Sequence, residues 1–459
     1  MALIKSISGI RGTIGGKPGE NLTPLDIVKF TAAFAASFDQ NTHNKIIVIG
    51  RDGRMSGSMV SNLCANTLIA CGFDVIDLGQ TTTPTVEIAV KSEKAAGGII
   101  LTASHNPQEW NALKLLNSEG EFFDAKAGEK VLMIAEKESF NFVPVDKTGK
   151  YKTDNSYLQK HIEAVVNYDL VDIDAIKKAK FKIVLDPINS SGAIYIPALL
   201  KALGVKDIIV INEEVNGKFE HNPEPLPKNL NGLSNEVVKQ NASLGIAVDP
   251  DVDRLCFVCE DGSMFGEEYT LVAVADYILT HRKGNTVSNM SSTKSLKEIT
   301  YKHGGEYFPS AVGEVNVVNK MKEVKAVIGG EGNGGIIVPD FHYGRDALIG
   351  IGLFLSHLAH SKKSIKQFRS NYPDYFISKN KITLEKSVDV KDVFQKIKDK
   401  YKNNPINTED GLKIEFGNDW VHLRTSNTEP ILRIYSESNF ETTAENIAKK
   451  IMNDIREVM

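Results

Sequence analysis

The stretch Leu101-Thr-Ala-Ser-His-Asn-Pro-Gln-Glu109 puts a serine, Ser104, in a tight loop at the end of an apolar strand. Pro107 stiffens that loop by fixing φ. A serine hydroxyl is a poor nucleophile unless a partner takes its proton. His105 is adjacent in sequence, which does not by itself aim its ring at the hydroxyl. Alone, the segment also reads as a polar turn with a helix cap. Three later loops supply what a phosphate-carrying serine would need.

The first is Asp249-Pro-Asp-Val-Asp-Arg254, after the apolar run Leu244–Val248. Carboxylates at i, i+2 and i+4 repel one another unless a cation or protons intervene. Hard oxygen ligands at this density suit Mg²⁺ or Ca²⁺. Asp249, Asp251 and Asp253 fall short of six-coordination, so a phosphate oxygen or waters would complete the shell, which favours Mg²⁺ on a phosphorylated group. The glutamate that ends a helix–loop–helix calcium loop is absent. The second loop is Gly329-Gly-Glu-Gly-Asn-Gly-Gly335. Its glycines bring backbone close to something, and its only side chains, Glu331 and Asn333, suit neighbouring hydroxyls. No helix follows, so it is not a dinucleotide fingerprint. The third is Arg424-Thr-Ser-Asn-Thr-Glu-Pro430. Arg424, Ser426, Asn427, Thr428 and backbone N–H groups can surround a phosphate, with Arg433 on the next strand. Two cations complete the set. Arg11 sits in a glycine-flanked turn, Ser8-Gly-Ile-Arg-Gly12, and Lys114 on a short strand after Ser104. A lysine near other cations has a lowered pKa and can act as acid or base.

These loops need scaffolds, and the sequence supplies them in a repeating plan. Lys45–Gly50 reads as a buried strand, followed by a polar loop, a helical pattern to Cys71-Gly72 and the strand Asp74–Leu78. The plan recurs from Phe181 to Ile211 and again from Asn285 to Phe308. Strand, loop, helix, C-cap glycine and strand make a βαβ unit, and three copies argue for three related α/β domains. The last ~85 residues break the pattern. Lys413–Phe416 and Trp420–Arg424 flank a hairpin signal, Gly417-Asn-Asp419, before a strand Ile431–Tyr435 and an amphipathic helix from about Thr443 to Val458. That is a small α+β domain with a mostly antiparallel sheet. The expected units are 1–152, 153–254, 255–370 and 371–459.

Composition removes several classes. At 459 residues the chain is long enough for about three or four domains. A formal charge of −4 gives no electrostatic case for nucleic acid or an anionic membrane. No apolar run approaches the ~20 residues of a membrane span. The N-terminus lacks the apolar core of a signal peptide, so a cytoplasmic location is expected. The four cysteines agree. Cys256 and Cys259 form a C-x-x-C inside a strand, where their side chains point to opposite faces, and this reads as core rather than as a metal or redox pair.

Taken together, the four loops and their order resemble the α-D-phosphohexomutase superfamily of phosphoglucomutases, phosphomannomutases and phosphoglucosamine mutases, over essentially the whole chain. The resemblance implies three α/β domains of similar topology and a smaller fourth domain around a central cleft. It implies that Ser104 is the phosphoserine, and that Asp249, Asp251 and Asp253 bind one Mg²⁺ together with its phosphate. Glu331 and Asn333 would hold sugar hydroxyls. Arg424, Ser426, Asn427, Thr428 and Arg433 would grip the non-reacting phosphate. Arg11, His105, Lys114 and Arg254 would be the cationic or acid/base groups near the phosphoserine. The implied reaction interconverts hexose 6-phosphate and hexose 1-phosphate through a hexose 1,6-bisphosphate, in a monomer or homodimer with no nucleic-acid or membrane partner. Many bacterial phosphoglucosamine mutases carry serine where this chain has Asn333, and Glu-x-Asn-Gly-Gly is more like the archaeal-type enzymes. Val312-Gly-Glu314 has Glu where relatives often place His or Asp. The resemblance points to glucosamine phosphate first and to a phosphoglucomutase/phosphomannomutase second. Outside the family, an aspartyl-phosphate phosphatase could use the Asp-x-Asp loop, and a sugar-phosphate sensor could use the grip.

Overall fold

Short runs of β-branched and aliphatic residues bounded by glycine and polar loops set the architecture. The computed structural model describes residues 3–6, 9–38, 44–385, 388–426 and 431–459. In the first unit the strands are β1 (Leu3–Ser6), β2 (Gly9–Thr13), β3 (Ile46–Arg51), β4 (Asp74–Gln80), β5 (Gly97–Leu101), β6 (Trp110–Leu116) and β7 (Tyr151–Thr153), in the sheet order β1-β2-β6-β5-β3-β4-β7. The second sheet holds β8 (Lys182–Asp186), β9 (Asp207–Val210), β10 (Leu244–Val248) and β11 (Leu255–Cys259), in the order β11-β10-β8-β9. The third holds β12 (Asn285–Asn289), β13 (Tyr307–Ser310), β14 (Ala326–Glu331) and β15 (Gly335–Ile337), in the order β13-β12-β14-β15.

The three sheets contain one four-strand plan. In each, three strands run parallel through two helical crossovers, and a hairpin then adds an antiparallel fourth. The hairpin connections are β5–β6, β10–β11 and β14–β15. They carry Ser104, the three aspartates and the Glu331–Asn333 pair respectively. The repeat legible in the sequence is only the first half of this plan. Its functional end is the second half.

The fourth unit is a wholly antiparallel sheet of β16 (Phe376–Thr383), β17 (Ile406–Asn407), β18 (Leu412–Phe416), β19 (Asp419–Thr425) and β20 (Ile431–Ser438), in the order β16-β20-β19-β18-β17. Its own core packs the sheet against the helices Val390–Lys400 and Glu441–Val458.

The second and third units share one core. Phe257 of β11 stacks on Phe354 of the helix Ala347–Ser361 at 3.7 Å between ring centroids. Cys256 packs on one face of its sheet and Cys259 on the other, as the strand period requires. The boundary expected after Arg254 needs correction. It cuts between β10 and β11, which pair from Leu244↔Cys259 to Val248↔Leu255, so the second sheet extends to Cys259. Arg11 also differs from expectation. It lies within β2, paired with Ala112 of β6, because β1 and β2 extend the first sheet past its hairpin strand. Among the described residues no helix is long and apolar enough to cross a membrane.

Candidate active site

Ser104 sits in the β5–β6 loop with φ at +48°, and it is 7% exposed. A left-handed conformation is uncommon outside glycine and is held here by its surroundings. The Ser104 N–H donates to Thr102 Oγ1 at 2.9 Å, and Thr102 Oγ1 donates to Asp52 at 2.6 Å. Asp52 also accepts from Arg54 Nε at 3.0 Å. The two guanidinium Nη groups of Arg54 donate to four main-chain carbonyls of the loop, those of Ser104, Asn106, Pro107 and Trp110, at 2.5–2.9 Å. A buried arginine thus replaces the hydrogen bonds that a tight loop cannot make to itself.

The Ser104 hydroxyl donates to Asp249 Oδ2 at 2.8 Å. The other oxygen of Asp249 accepts the backbone N–H groups of Asp253 and Arg254, each at 3.1 Å, which folds the loop around the carboxylate. Val252 is left-handed at φ +62°, an outlier for a β-branched residue. The turn brings ligand atoms of Asp249, Asp251 and Asp253 within 4.8 Å of one another, all buried. Asp251 Oδ2 is bound by Thr83 Oγ1 at 2.6 Å and by Lys114 Nζ at 2.7 Å. Asp253 Oδ2 is bound by Arg345 at 2.6 Å. The Oδ1 atoms of Asp251 and Asp253 are buried with no hydrogen-bond partner. Burying unpaired carboxylate oxygens is costly, so two orphaned oxygens beside Asp249 fit a hard divalent cation such as Mg²⁺.

Electrostatics sorts these groups. Burial, and then the charges of Asp253 and Asp251, push the Asp249 carboxyl well above its ordinary value. Burial works the same way on Asp251, but the charge of Lys114 and the hydrogen bonds from Lys114 and Thr83 together outweigh it and hold that carboxyl low. Burial opposes the charge on Lys114, yet Asp251 and Asp253 raise it. The expectation of a lysine lowered by neighbouring cations is therefore reversed, because its nearest charges are carboxylates at 2.7 and 3.8 Å. His105 Nδ1 lies 3.4 Å from Ser104 Oγ but only 2.8 Å from Arg254 Nη2. The charge of Arg254, then burial, push the imidazole well below its ordinary value. The neutral ring thus spends its Nδ1 lone pair on Arg254. Burial and Arg254 also lower Arg11, which places it in the same cationic group.

The β14–β15 loop meets this cluster from the third unit. Gly334 has φ +86°, and a Cβ there would lie 2.2 Å from the Leu255 carbonyl, so glycine lets the two hairpins touch. Glu331 Oε1 accepts from Asn289 Nδ2 at 2.9 Å and from the Gly313 N–H at 3.1 Å, and Oε2 accepts from Arg345 at 2.9 Å. Asn333 Nδ2 lies 3.5 Å from Glu331 Oε2, and its Oδ1 accepts the Gly335 N–H. Arg345 also pairs with Glu314 at 3.0 Å, so one guanidinium joins the aspartate loop, Glu331 and Glu314. Burial, despite Arg345, raises the Glu314 carboxyl to about 7.

In the fourth unit Arg424 and Arg433 are direct cross-strand partners on β19 and β20. Like charges directly opposite destabilise a sheet, so this pairing suits an anion. Arg424 Nε donates to Asp410 at 2.7 Å. The Ser426 N–H closes the strand ends onto the Ile431 carbonyl. Asn427 and Thr428 lie outside the described residues.

Models of the phosphoglucomutase/phosphomannomutase family match the chain in four consecutive stretches. The alpha/beta/alpha domains I, II and III match residues 3–142, 159–262 and 266–375, and the C-terminal domain matches 380–454. The chain belongs to this family. It is 34% identical over 440 residues to a phosphoglucomutase/phosphomannomutase of Thermococcus kodakarensis, covering 94% of this chain and 95% of that one. It is 29% identical to a phosphoglucosamine/phosphogalactosamine mutase of Sulfurisphaera tokodaii, covering 100% and 99%. Its fold matches a crystal structure of a phosphoglucomutase/phosphomannomutase family protein from Burkholderia thailandensis with a TM-score of 0.84, at 24% identity, over 100% of this chain and 97% of that one. Within this family member the sequence reading missed Arg54, Thr83, Asn289 and Arg345. Arg54 had a faint signal, since it lies in the loop after the first parallel strand, where α/β sites gather. Arg345 had none beyond Asp346, which caps the next helix.

Proposed function

We propose that this phosphohexomutase moves a phosphoryl group between Ser104 and the 1- and 6-hydroxyls of a hexose phosphate, through a hexose 1,6-bisphosphate that turns over within the cleft. The observation that carries this is the Ser104 hydroxyl hydrogen-bonded to Asp249, beside the orphaned oxygens of Asp251 and Asp253. Asp249, Asp251 and Asp253 would hold Mg²⁺ with a phosphoserine oxygen. The bound ion would supply charge neutralisation for phosphoryl transfer.

The chain's own groups do the rest. Phosphate-ester cleavage is among the slowest uncatalysed reactions, so developing charge must be met by groups already in place. Arg11, Arg254 and Lys114, whose charges all act on His105 beside the serine, would meet that charge. Lys114, held protonated, is placed to give a proton to an oxygen leaving phosphorus. His105 positions Arg254 rather than acting as the serine's base. Glu331 and Asn333 orient sugar hydroxyls. Arg424, Ser426, Asn427, Thr428 and Arg433 hold the phosphate that is not reacting, at either end of the sugar. The fourth unit covers the cleft and excludes water, which would turn transfer into hydrolysis.

A phosphatase using an aspartate nucleophile is disfavoured. Both oxygens of Asp249 are engaged, one by Ser104 and one by two backbone N–H groups. For the sugar, glucosamine 6-phosphate is the first reading, supported by the name of the Sulfurisphaera relative. A phosphoglucomutase/phosphomannomutase is the second, supported by the name of the Thermococcus relative. Glu331 and Asn333 are proposed to read the 3- and 4-hydroxyls, which do not sense carbon 2, where glucosamine, glucose and mannose differ. Ser104→Ala, assayed with bisphosphate activator, is expected to abolish turnover, and undiminished turnover would refute the mechanism. kcat/KM for glucosamine, glucose and mannose phosphates, measured side by side, assigns the sugar, with glucosamine phosphate expected highest.

A further inference from the structure

Asp410 lies in the turn between β17 and β18, 14 residues before Arg424. One of its oxygens does two things. Oδ2 accepts from Arg424 Nε at 2.7 Å, and it accepts the backbone N–H of Val312, in the third unit, at 2.9 Å. The backbone carbonyl of Asp410 is held as well, by His422 Nε2 at 2.6 Å. A carbonyl can only accept, so Nε2 carries the proton. His422 Nδ1 then accepts the hydroxyl proton of Ser291 in the third unit, at 2.8 Å. The residue after Val312 continues the connection, because the Gly313 N–H donates to Glu331. Glu331 is bound by Arg345, and Arg345 by Asp253. Charge-assisted hydrogen bonds, joined through the Val312–Gly313 backbone, thus lead from Arg424 through Asp410 to the aspartate loop.

We propose that Asp410 is a positioning residue for recognition of the non-reacting phosphate: it fixes the plane of the Arg424 guanidinium by its Nε edge and locks that arginine to the Val312–Gly313 loop of the third unit. A guanidinium is a rigid fork, so anchoring one edge fixes the direction of its other donors. Arg424 stands opposite Arg433 in register, and a carboxylate at its Nε also offsets the repulsion between them. A carboxylate that served only the domain interface would not need to share one oxygen between the phosphate grip and the neighbouring unit. The inference rests on the mutase reading and deepens it.

The test is steady-state kinetics on the Mg²⁺-loaded, phosphorylated enzyme with glucosamine 6-phosphate, glucose 6-phosphate and mannose 6-phosphate, beside the rate at which water hydrolyses phospho-Ser104. Asp410→Ala is expected to raise KM at least about 10-fold with kcat within about threefold, while hydrolysis by water stays within about twofold of wild type. Asp410→Asn keeps an acceptor and is expected to recover part of the loss. In an Arg424→Ala background, Asp410→Ala is expected to change KM by less than about twofold, because a residue acting through another loses its effect when that other is gone. Unchanged KM in Asp410→Ala, or full additivity in the double variant, overturns the proposal. Should Asp410→Ala lose the fold, the Asn variant carries the test, with a KM raised about threefold expected and an unchanged KM overturning it. Wild-type enzyme that passes no phosphoryl group to any of the three sugars overturns the mutase reading and this inference with it, and it is seen before any variant is made.

Discussion

At the scale of the residue, two of the site's hairpin loops each hold a non-glycine residue in left-handed backbone. Ser104 and Val252 occupy equivalent hairpins of the first and second units. Each such residue costs ~1–2 kcal/mol, and the surrounding bonds must hold it. Around Ser104 those bonds come from Arg54 and Asp52. Around Val252 they come from the Asp249 carboxylate. The aspartate loop pairs this strain with two buried carboxylate oxygens that have no hydrogen-bond partner, so metal should stabilise the fold. Mg²⁺ at about 100 times its Kd is expected to add roughly 2.7 kcal/mol. Asp251→Asn is expected to lose that gain and to lower Mg²⁺-dependent activity by at least about 10-fold. With chelator present, its melting temperature should fall by less than in Mg²⁺, since only the Lys114 and Thr83 contacts are weakened there. Thermal melts with and without Mg²⁺ check this. Equal losses of stability with and without metal would make Asp251 a structural carboxylate.

At the scale of the element, the helix Glu267–His281 starts with two glutamates at the junction of the third and fourth units. Glu268 accepts the Thr293 N–H at 2.9 Å, and burial raises its carboxyl to about 8. Unfolded, it would titrate near its ordinary 4.5. Between those values the folded chain binds a proton that the unfolded chain has released. Stability therefore falls as pH rises from about 4.5 to 8. Glu268→Gln keeps an acceptor for Thr293 and removes the titration. Relative to wild type, it is expected to gain at least ~1 kcal/mol between pH 5 and pH 8, by urea unfolding at the two pH values. Parallel pH dependence in both proteins would contradict the buried-acid assignment.

Elements also explain what the sequence could and could not tell. Ser104 and the three aspartates are legible because their chemistry is local: the ligands lie within five residues after an apolar strand. The βαβ halves are legible because helix and strand periods differ. The partners that hold the site are illegible. Arg345 reaches Asp253 across 92 residues and Arg54 reaches the Ser104 carbonyl across 50, and neither carries a motif. Gly9 and Gly12 read as turn residues around Arg11, while pairing with β1 and β6 makes the segment a strand. Lys114 is raised rather than lowered because its nearest charges come from another unit, which the sequence around it does not show.

For the whole molecule, three copies of one four-strand plan point the same hairpin at a common centre. Their sequences then diverge there into Ser104, the three aspartates and the Glu331–Asn333 pair. The fourth unit adds paired arginines and docks on the third through Asp410 and His422. The arrangement makes sense if Ser104 carries its phosphoryl group before the sugar arrives and takes one back after. That claim is tested most directly by mass spectrometry of the peptide containing Leu101–Glu109, before and after one equivalent of glucosamine 1-phosphate, glucose 1-phosphate or mannose 1-phosphate. Phosphate is expected on Ser104 at the start and again when the turnover is complete, with the bisphosphate of the preferred sugar as the transient between. Phosphate found on Asp249, or released from Ser104 as inorganic phosphate at the turnover rate with all three sugars, would contradict it.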